Sequence, residues 1–324
     1  MNAMVGGAAF GANANVQPEA RASNQAGLPR IAVCICTYKR PIPLKRLLDS
    51  LQQQETGGLF TYSVVVADND EEEAGRAVVA EALNSSPLRI KYCAEPRRGI
   101  ALARNTALAN AEGDYLALID DDEFPISSWL LKLFVECRDY QVDGVLGPVR
   151  RHFDEPPPSW LKKSNLYDRR VNPTGMAVNW REARTGNVLM KRRVINGDAS
   201  PFNPEFRAGE DHDFFRRKLQ EGFSFIWSSD AEVYESLPPA RWKRMYFLRK
   251  ALLQGATAAQ QPDCGAVSIA KSIIAVPLYI AVLPFSLLLG QHRFMSILIK
   301  LCNHAGKLLI LAGINPVDEE YVSE

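Results

Sequence analysis

The sequence predicts an α/β fold, in which a Rossmann-like, mainly parallel sheet is flanked by helices and followed by an apolar helical region. Three observations lead to this prediction. Short apolar runs alternate with segments in which leucine or alanine recurs every three or four residues, the pattern of repeated β-α-β units. Each apolar run ends in polar residues. Towards the carboxyl terminus, residues 272–290 carry no charge, a stretch long enough to be a membrane-span candidate.

The first half of the chain supplies the predicted parallel strands and the helices that connect them. We expect strands at 30–36, 62–67, 89–93 and 114–119, and helices at 42–54, 71–83 and 99–110. In the first of these helices, leucines recur at three and four residues and give one apolar face. Ligands of parallel sheets bind outside the carboxyl ends of the strands. Polar clusters follow three of these ends, at 37–40, 68–70 and 120–123.

The acidic cluster, Asp120, Asp121, Asp122 and Glu123, follows a buried strand directly. Neighbouring carboxylates repel one another, so either a cation is expected to bind there or the pKa values of the carboxyl groups should rise. Mg²⁺ is commonly held by one or two carboxylates together with substrate phosphates. The acids alone are equally compatible with a solvated turn. Three polar clusters at one sheet edge favour a metal and diphosphate site.

Composition and missing motifs exclude several classes of protein. The 324 residues are 47% apolar and 23% charged, with a formal net charge of +1, so the chain is globular and nothing points to nucleic acid as a partner. The six cysteines form no Cys-x-x-Cys pair, which argues against zinc. The first strand is followed by neither a dinucleotide-binding glycine motif nor a P-loop. Residues 1–28 lack a secretory signal pattern and are predicted to be disordered.

Five motifs, in order along the chain, resemble those of the family 2 glycosyltransferases. They are Thr-Tyr-Lys-Arg-Pro at 37–41, Asp-Asn-Asp at 68–70, Gly-x-x-x-x-Arg-Asn at 99–105, the acidic triplet at 120–122 with Trp-Leu at 129–130, and Glu-Asp at 210–211. The resemblance covers residues 31 to about 250 and is strongest to bacterial exopolysaccharide enzymes of the succinoglycan-biosynthesis type. It implies the glycosyltransferase A fold, a nucleotide-sugar donor (usually a UDP sugar), inverting sugar transfer, and Mg²⁺ or Mn²⁺ as cofactor.

The resemblance also implies roles for individual residues. Donor binding is implied for Thr37, Tyr38, Arg40, Asp68, Arg104, Asp120 and Asp121. Metal binding is implied for Asp122, with help from Asp120, and such a metal would stabilise charge on the leaving diphosphate. Asp211 would be the general base and Glu210 its neighbour in catalysis. Two alternatives stay open here: acids at a helix start also suit the helix dipole, and His212 is a weaker candidate base.

The second half is expected to add strands at 142–149, 186–191, 223–227 and 231–234, and a helix from 210. The irregular stretch 150–179 is expected to cover the acceptor, or else to be a surface insertion. Acceptor-side roles are predicted for Asn187, Arg241 and Trp242. Processive members of the family carry Gln-x-x-Arg-Trp here, but this chain has Pro238 in place of the glutamine. The change favours addition of a single sugar.

The carboxyl-terminal region is predicted to associate with a membrane. A basic stretch, 241–250, precedes the uncharged stretch, and a second apolar segment, 294–312, has its cations and a histidine on one helical face. We therefore divide the chain into a disordered segment 1–28, a catalytic domain 29–255 and membrane-associated helices 256–324. The sequence leaves open whether these helices span the membrane, lie in it, or form a soluble subdomain.

The positive-inside tendency would keep the catalytic domain on the cytoplasmic face of the bacterial inner membrane. The acceptor would then be a saccharide linked to polyprenyl diphosphate. Two other functions are compatible with the fold. A nucleotidyltransferase would carry a glycine-rich and basic loop after the first strand, which is missing here. A non-catalytic nucleotide-sugar-binding scaffold would have no need to retain both Asp122 and Asp211.

Overall fold

The computed structural model describes residues 27–164, 166–168, 170–206, 209–260 and 264–316. The strands are β1 Arg30–Thr37, β2 Thr61–Asp68, β3 Ile90–Ala94, β4 Tyr115–Asp120, β5 Glu123–Pro125, β6 Gly144–Leu146, β7 Val149–His152, β8 Asn187–Lys191, β9 Phe225–Trp227 and β10 Val233–Ser236. The helices are α1 Pro41–Leu51, α2 Arg76–Ser85, α3 Ile100–Asn110, α4 Trp129–Asp139, α5 Ser159–Lys162, α6 Glu210–Gln220, α7 Arg244–Gln260, α8 Ala266–Ser286 and α9 Gln291–Leu311. The predicted disordered segment 1–28 lies outside the described residues except for its last two.

A seven-stranded sheet in the order β3-β2-β1-β4-β8-β6-β9 organises the fold. Strands β1, β2, β3 and β4 are mutually parallel, and β8 is antiparallel to both of its neighbours. The predicted α/β class with a mainly parallel sheet is confirmed. The register places Thr37 opposite Asp68 and Cys36 opposite Asp120. The three polar clusters therefore meet at one edge of the sheet.

Two apolar layers cover this sheet. On one face, the four leucines of α1 pack with Trp129 and Phe134 of α4. On the other face, alanines of α3 pack with Phe214 and Phe215 of α6. The leucine spacing in α1 is what buries its apolar side and leaves its polar side to solvent.

A second, three-stranded sheet in the order β5-β10-β7 lies beside the site. The single strand predicted at 142–149 is wrong, because it splits into β6 of the large sheet and β7 of the small one. The break falls at Gly147, where a Cβ atom would lie 2.2 Å from the carbonyl oxygen of Ala231. The stretch 150–179, predicted to be irregular, contains most of β7 and the short α5.

The helix predicted at 71–83 also begins later, at Arg76. The preceding residues form a turn in which the Gly75 N–H donates to the Asp68 carboxylate at 2.8 Å. A carboxylate at the end of β2 thus competes with helix formation for a backbone donor.

Three long helices end the described chain. Helix α7 crosses the predicted boundary after residue 255 without interruption. Two segments, Ala266–Leu289 and Gln291–Leu311, are long and apolar enough to cross a membrane, and only 11% of the most apolar window of each is buried. The predicted pair of apolar carboxyl-terminal helices is therefore present.

Candidate active site

A cleft of about 250 Å³ opens where β1 and β4 end. It is lined by acidic and basic side chains from several segments of the chain: Arg40, Arg104, Asp120, Asp121, Asp122, Glu123, Glu235, Arg241 and Lys250, with Cys36, Ile100 and Tyr246. Six of the residues predicted for the site therefore lie around one cavity. The cleft therefore presents both cations and carboxylates to a ligand.

Asp121 is the buried member of the acidic triplet. The Thr37 hydroxyl donates to its Oδ2 at 2.8 Å, and the Arg40 guanidinium donates to its Oδ1 at 2.9 Å. Burial raises the pKa of Asp121 to about 6, an effect that Arg40 opposes and Asp122 reinforces. Protonation of this group at mildly acidic pH is therefore favoured in the folded state.

The raised pKa predicts a pH-dependent difference between the wild type and Asp121→Asn. Because the folded-state pKa exceeds the usual carboxyl value, the contribution of Asp121 to stability is fully present below about pH 4 and is lost as the pH rises through about 6. We expect the wild type to lose on the order of 2 kcal/mol relative to Asp121→Asn between these limits. Thermal unfolding at several pH values measures this difference. Asp139→Asn, at an exposed position, is the control, and parallel curves for Asp121→Asn and the wild type would contradict the prediction.

Asp122 is held between two arginines. Arg40 donates to its Oδ2 at 3.2 Å, and Arg241 donates to the same oxygen at 2.8 Å. Arg241 also donates to Glu235 at 3.1 Å. Burial alone lowers the pKa of the Arg241 guanidinium, but Asp122 and Glu235 outweigh it and raise that pKa above its usual value. Arg241 therefore stays charged inside the cleft.

Asp120 and Asp122 are the carboxylates to which the resemblance assigns a metal. Within the described ranges, no three or more His, Cys, Asp or Glu side chains are grouped to hold an ion by themselves. Asp120 and Asp122 nevertheless face the cleft, and the Asp120 side chain is 43% exposed. Carboxylate oxygens are the donors that Mg²⁺ and Mn²⁺ prefer, and substrate phosphates commonly complete such a shell. Asp120 and Asp122, with substrate phosphates to complete the shell, therefore fit a hard divalent cation.

Arg104 joins the acidic triplet to the Glu-Asp motif. It projects from α3 and is buried between Glu210, to which it donates, and Asp120, whose Oδ1 lies 3.3 Å from its Nη2. Burial raises the pKa of Glu210, and the charge of Arg104 opposes that rise. The start of α3 is fixed by Gly99, whose N–H donates to Asn69 at 2.9 Å. The second and third motifs are thus connected directly.

Asp211 lies in the first turn of α6, one residue after Glu210. Gly209 precedes the helix with φ +83°, a conformation that glycine adopts readily. The Oδ1 atom of Asp211 accepts the His212 N–H at 2.8 Å, and Oδ2 lies 3.8 Å from Arg184 Nε. The carboxylate is 15% exposed and stands outside the residues that line the cleft. A role for Asp211 as the general base stays a prediction.

Three residues predicted to bind the donor support the site or flank it. Thr37 is buried under Asp121, and Asp68 accepts hydrogen bonds from Gly75, Asp70 and Tyr92. The Tyr38 hydroxyl accepts a bond from Arg98 at 2.7 Å. Donor binding by these three residues stays a prediction.

Two residues predicted on the acceptor side make hydrogen bonds within the protein. Asn187 is buried: its side chain accepts from Trp129 Nε1 at 2.8 Å and donates to the carbonyls of Pro148 and Ala231. The amide is enclosed by protein partners, so we regard Asn187 as a structural link and correct its predicted acceptor contact. Trp242 donates to the Leu237 carbonyl at 2.8 Å and does not line the cleft.

The cleft also contains residues that the sequence analysis left without a role there, namely Glu235, Tyr246 and Lys250. The basic stretch 241–250 was interpreted as a positive-inside signal, and two of its cations, Arg241 and Lys250, line the cleft. Helical spacing could have placed Tyr246 and Lys250 together, because they are four residues apart and share one face of α7.

Comparisons with known proteins agree with this geometry. Residues 32–203, more than half of the chain, match the family described as Glycosyl transferase family 2. The succinoglycan biosynthesis protein ExoM of Rhizobium meliloti (strain 1021) is 32% identical over 229 residues, which cover 70% of this chain and 73% of ExoM.

Solved structures show the same fold. The mannosyltransferase PcManGT from Pyrobaculum calidifontis, in complex with GDP-Man and Mn²⁺, gives a TM-score of 0.58 at 18% identity over 88% of each chain. S. aureus TarS 1-349 in complex with UDP gives a TM-score of 0.52 at 16% identity, covering 90% of this chain and 93% of that one. These likenesses identify the glycosyltransferase A fold. Together with the family match and ExoM, they establish that the chain belongs to the family 2 glycosyltransferases.

Proposed function

We propose that this glycosyltransferase moves one sugar from a uridine diphosphate sugar to a lipid-linked saccharide, with inversion, in bacterial exopolysaccharide or cell-surface polysaccharide biosynthesis. The cleft carries the proposal, because cations and carboxylates face each other there at the carboxyl edge of the sheet. The similarity to ExoM supports the polysaccharide assignment. The UDP bound to TarS supports the donor class.

The cations of the cleft would bind the donor diphosphate. Arg40, Arg104, Arg241 and Lys250 all line the cavity. Negative charge grows on the diphosphate as the glycosidic bond breaks. Fixed cations aimed at that charge stabilise the transition state more than the ground state. Arginine also binds phosphate oxygens in a bidentate manner, which orients the donor.

Asp122, helped by Asp120, would hold the Mg²⁺ or Mn²⁺ cofactor. Such an ion supplies Lewis-acid stabilisation of the departing diphosphate. Both carboxylates line the cleft, and the Mn²⁺ bound with GDP-Man in PcManGT supports the assignment.

Asp211 would act as the general base, and Glu210 would position it. The carboxylate of Asp211 takes the proton of the acceptor hydroxyl while the hydroxyl oxygen attacks the anomeric carbon. A single displacement of this kind inverts the anomeric centre. Because Arg104 holds Glu210, it also fixes the first turn of α6, on which Asp211 is carried.

We propose that the acceptor is a saccharide linked to polyprenyl diphosphate at the cytoplasmic face of the inner membrane. The exposed apolar helices α8 and α9 support membrane association. The catalytic domain would extend from residue 29 through α7, and the membrane-associated region would begin with α8. Pro238, in the place of the glutamine of processive members, supports single-sugar addition.

A donor screen tests the proposal. Purified full-length protein in detergent is incubated with each common nucleotide sugar, with Mn²⁺ or with chelator, and with a lipid extract as acceptor. We expect nucleotide release from one uridine diphosphate sugar, and loss of that release with chelator and in Asp122→Ala. Lys45→Ala, at an exposed position of α1, is the matched control and should retain turnover.

The outcomes separate the proposed functions. Release that survives chelation and the Asp122→Ala substitution would contradict the metal site. A folded protein that binds no nucleotide sugar would contradict the donor assignment. Tight binding of a nucleotide sugar with no turnover in a complete lipid extract would favour the non-catalytic scaffold.

A further inference from the structure

Helix α8 has two unlike faces. Ser272 and Ser286 are buried, whereas Val267, Ile274, Leu278 and Phe285 are exposed, Phe285 by 68%. At roughly 100° per residue, these four apolar residues line up along the helix as a stripe, which lies about 100–140° around the helix from the serines. Ile273, Ile280 and Val282 are exposed as well and widen the apolar surface on either side of the stripe. The turn Leu287–Leu289 continues the stripe, and Leu288 is 85% exposed. A contiguous exposed apolar stripe of this length marks an interaction surface.

Helix α9 is fixed along α7. A Cβ atom on Gly255 would lie 1.9 Å from the carbonyl oxygen of Asn303, so the two backbones are in direct contact. At the other end, Arg244 donates to Gln291 at 2.7 Å. The two helices therefore run side by side in the same direction for most of their length. Small residues at a crossing allow such close approach.

The opposite side of α7 faces the catalytic cleft. Tyr246 and Lys250 line the cleft, whereas Leu252 and Gly255 contact α9. At roughly 100° per residue, these two pairs fall on opposite faces of the helix. Helix α7 therefore packs against the active site on one face and against α9 on the other. Because α9 lies along α7, it follows the surface of the catalytic domain.

Helix α8 runs antiparallel along α9. The Ser272 hydroxyl lies 3.0 Å from His304 Nδ1, and Lys307 donates to the Ser268 hydroxyl at 2.8 Å. These bonds use the polar side of α8, so its apolar stripe faces away from α9. The hairpin thus packs on the catalytic domain through α9, with the exposed apolar surface of α8 turned away from α9.

The charge of the hairpin identifies what covers the stripe. Residues 264–316 contain no Asp or Glu, and Lys271, Arg293 and Lys300 are exposed. Exposed cations beside an apolar stripe match an anionic lipid surface, with the stripe among the acyl chains and the cations at the headgroups. A soluble partner protein would have to cover the stripe and neutralise these cations as well.

We infer that α8 lies in the plane of one leaflet of an anionic membrane, and that α8 and α9 bind the bilayer without crossing it. The inference deepens the membrane association proposed above and rests on it. The cleft lies on the side of α7 that faces away from α9. Because neither helix crosses the bilayer, the catalytic domain lies on the same side of the bilayer as the leaflet that the helices bind.

A depth profile along α8 tests the inference. Single cysteines replace Val267, Leu278 and Phe285 in the full chain and carry a nitroxide label. The four partly exposed cysteines, Cys36, Cys93, Cys264 and Cys302, are replaced by serine, and Cys34 and Cys137 are buried. The protein is bound to phosphatidylglycerol–phosphatidylcholine vesicles, and label depth is measured from oxygen and nickel-complex accessibility. We expect all three labels at a similar depth of about 5–10 Å. A maximum at Leu278, at about 15 Å, with shallow ends would show a spanning helix and overturn the inference.

Flotation with vesicles supplies a second readout. Leu288→Glu should weaken partitioning by roughly 10- to 100-fold, because the variant loses a leucine that would be buried in the bilayer and gains a charge. Leu83→Glu alters an exposed leucine of α2 in the catalytic domain and should leave partitioning unchanged. Equal flotation of the two variants would overturn the contact. The donor screen uses detergent and no vesicles, so failure of the membrane contact and failure of the proposed reaction are distinguishable.

Discussion

Asp211→Asn is expected to lower kcat by ~10²–10⁴-fold, the usual contribution of a positioned general base. Asparagine has the same shape, and its side-chain oxygen can still accept the His212 N–H that Asp211 accepts at 2.8 Å. It cannot take the proton of the acceptor hydroxyl. We therefore expect the KM for the donor and the thermal unfolding temperature to stay close to those of the wild type. Steady-state turnover and a thermal melt measure these quantities.

Two variants sharpen this prediction. Asp213→Asn changes a buried aspartate of the same helical turn that pairs with Arg216 and Arg217. It should lower stability while leaving kcat within a few-fold of the wild type. His212→Gln tests the alternative base and should also leave kcat within a few-fold. A loss smaller than tenfold in Asp211→Asn, or a larger loss in His212→Gln, would move the role of base away from Asp211.

The sheet edge could be predicted from the sequence because local signals and the global fold agree there. Continuous apolar runs specify β1, β2 and β4, and parallel pairing then requires their polar ends to meet. For this reason Arg40, Arg104 and the acidic triplet, which lie on different elements, were expected together and are found around one cleft.

The rest of the site depends on contacts between distant segments, which periodicity does not encode. Asn187 looked available for the acceptor, but its amide is used by Trp129, Pro148 and Ala231, which lie far from it in sequence. The basic stretch before the apolar helices was interpreted only as a positive-inside signal. Lys250 faces the cleft instead because Gly255 brings the opposite side of α7 against α9. The strand predicted at 142–149 divides at Gly147, where the Ala231 carbonyl approaches too closely for any side chain.

Arg104→Met is expected to lower the free energy of unfolding by about 3–5 kcal/mol at neutral pH, the usual cost of leaving one partner of a buried ion pair alone. Arg104 and Glu210 are both buried, and Asp120 is the more exposed of the two carboxylates that Arg104 contacts. Removing the cation therefore leaves the Glu210 carboxylate buried without this ion pair, whereas Asp120 can be solvated. Chemical denaturation measured for the wild type and the variant gives the difference directly.

The pH dependence of this loss tests its cause. Burial already raises the pKa of Glu210, and removal of Arg104 takes away the charge that opposes the rise. A carboxyl group whose folded-state pKa is raised contributes stability below its ordinary pKa and loses it as the pH rises through the raised value. The deficit of Arg104→Met should therefore shrink as the pH is lowered from 7 towards 5. A deficit independent of pH would point to lost packing against Phe202, which also contacts the guanidinium.

The double variant Arg104→Met/Glu210→Gln separates the structural role of Arg104 from its proposed role at the donor. With both charges removed, no carboxylate is stranded, and most of the lost stability should return, because replacing both partners of a buried pair is often nearly neutral. Turnover should not return, because the cleft still lacks one of the cations proposed to bind the diphosphate. Recovery of stability and turnover together would show that Arg104 acts only by holding Glu210 in place, and Arg40, Arg241 and Lys250 would then be the cations left to bind the donor.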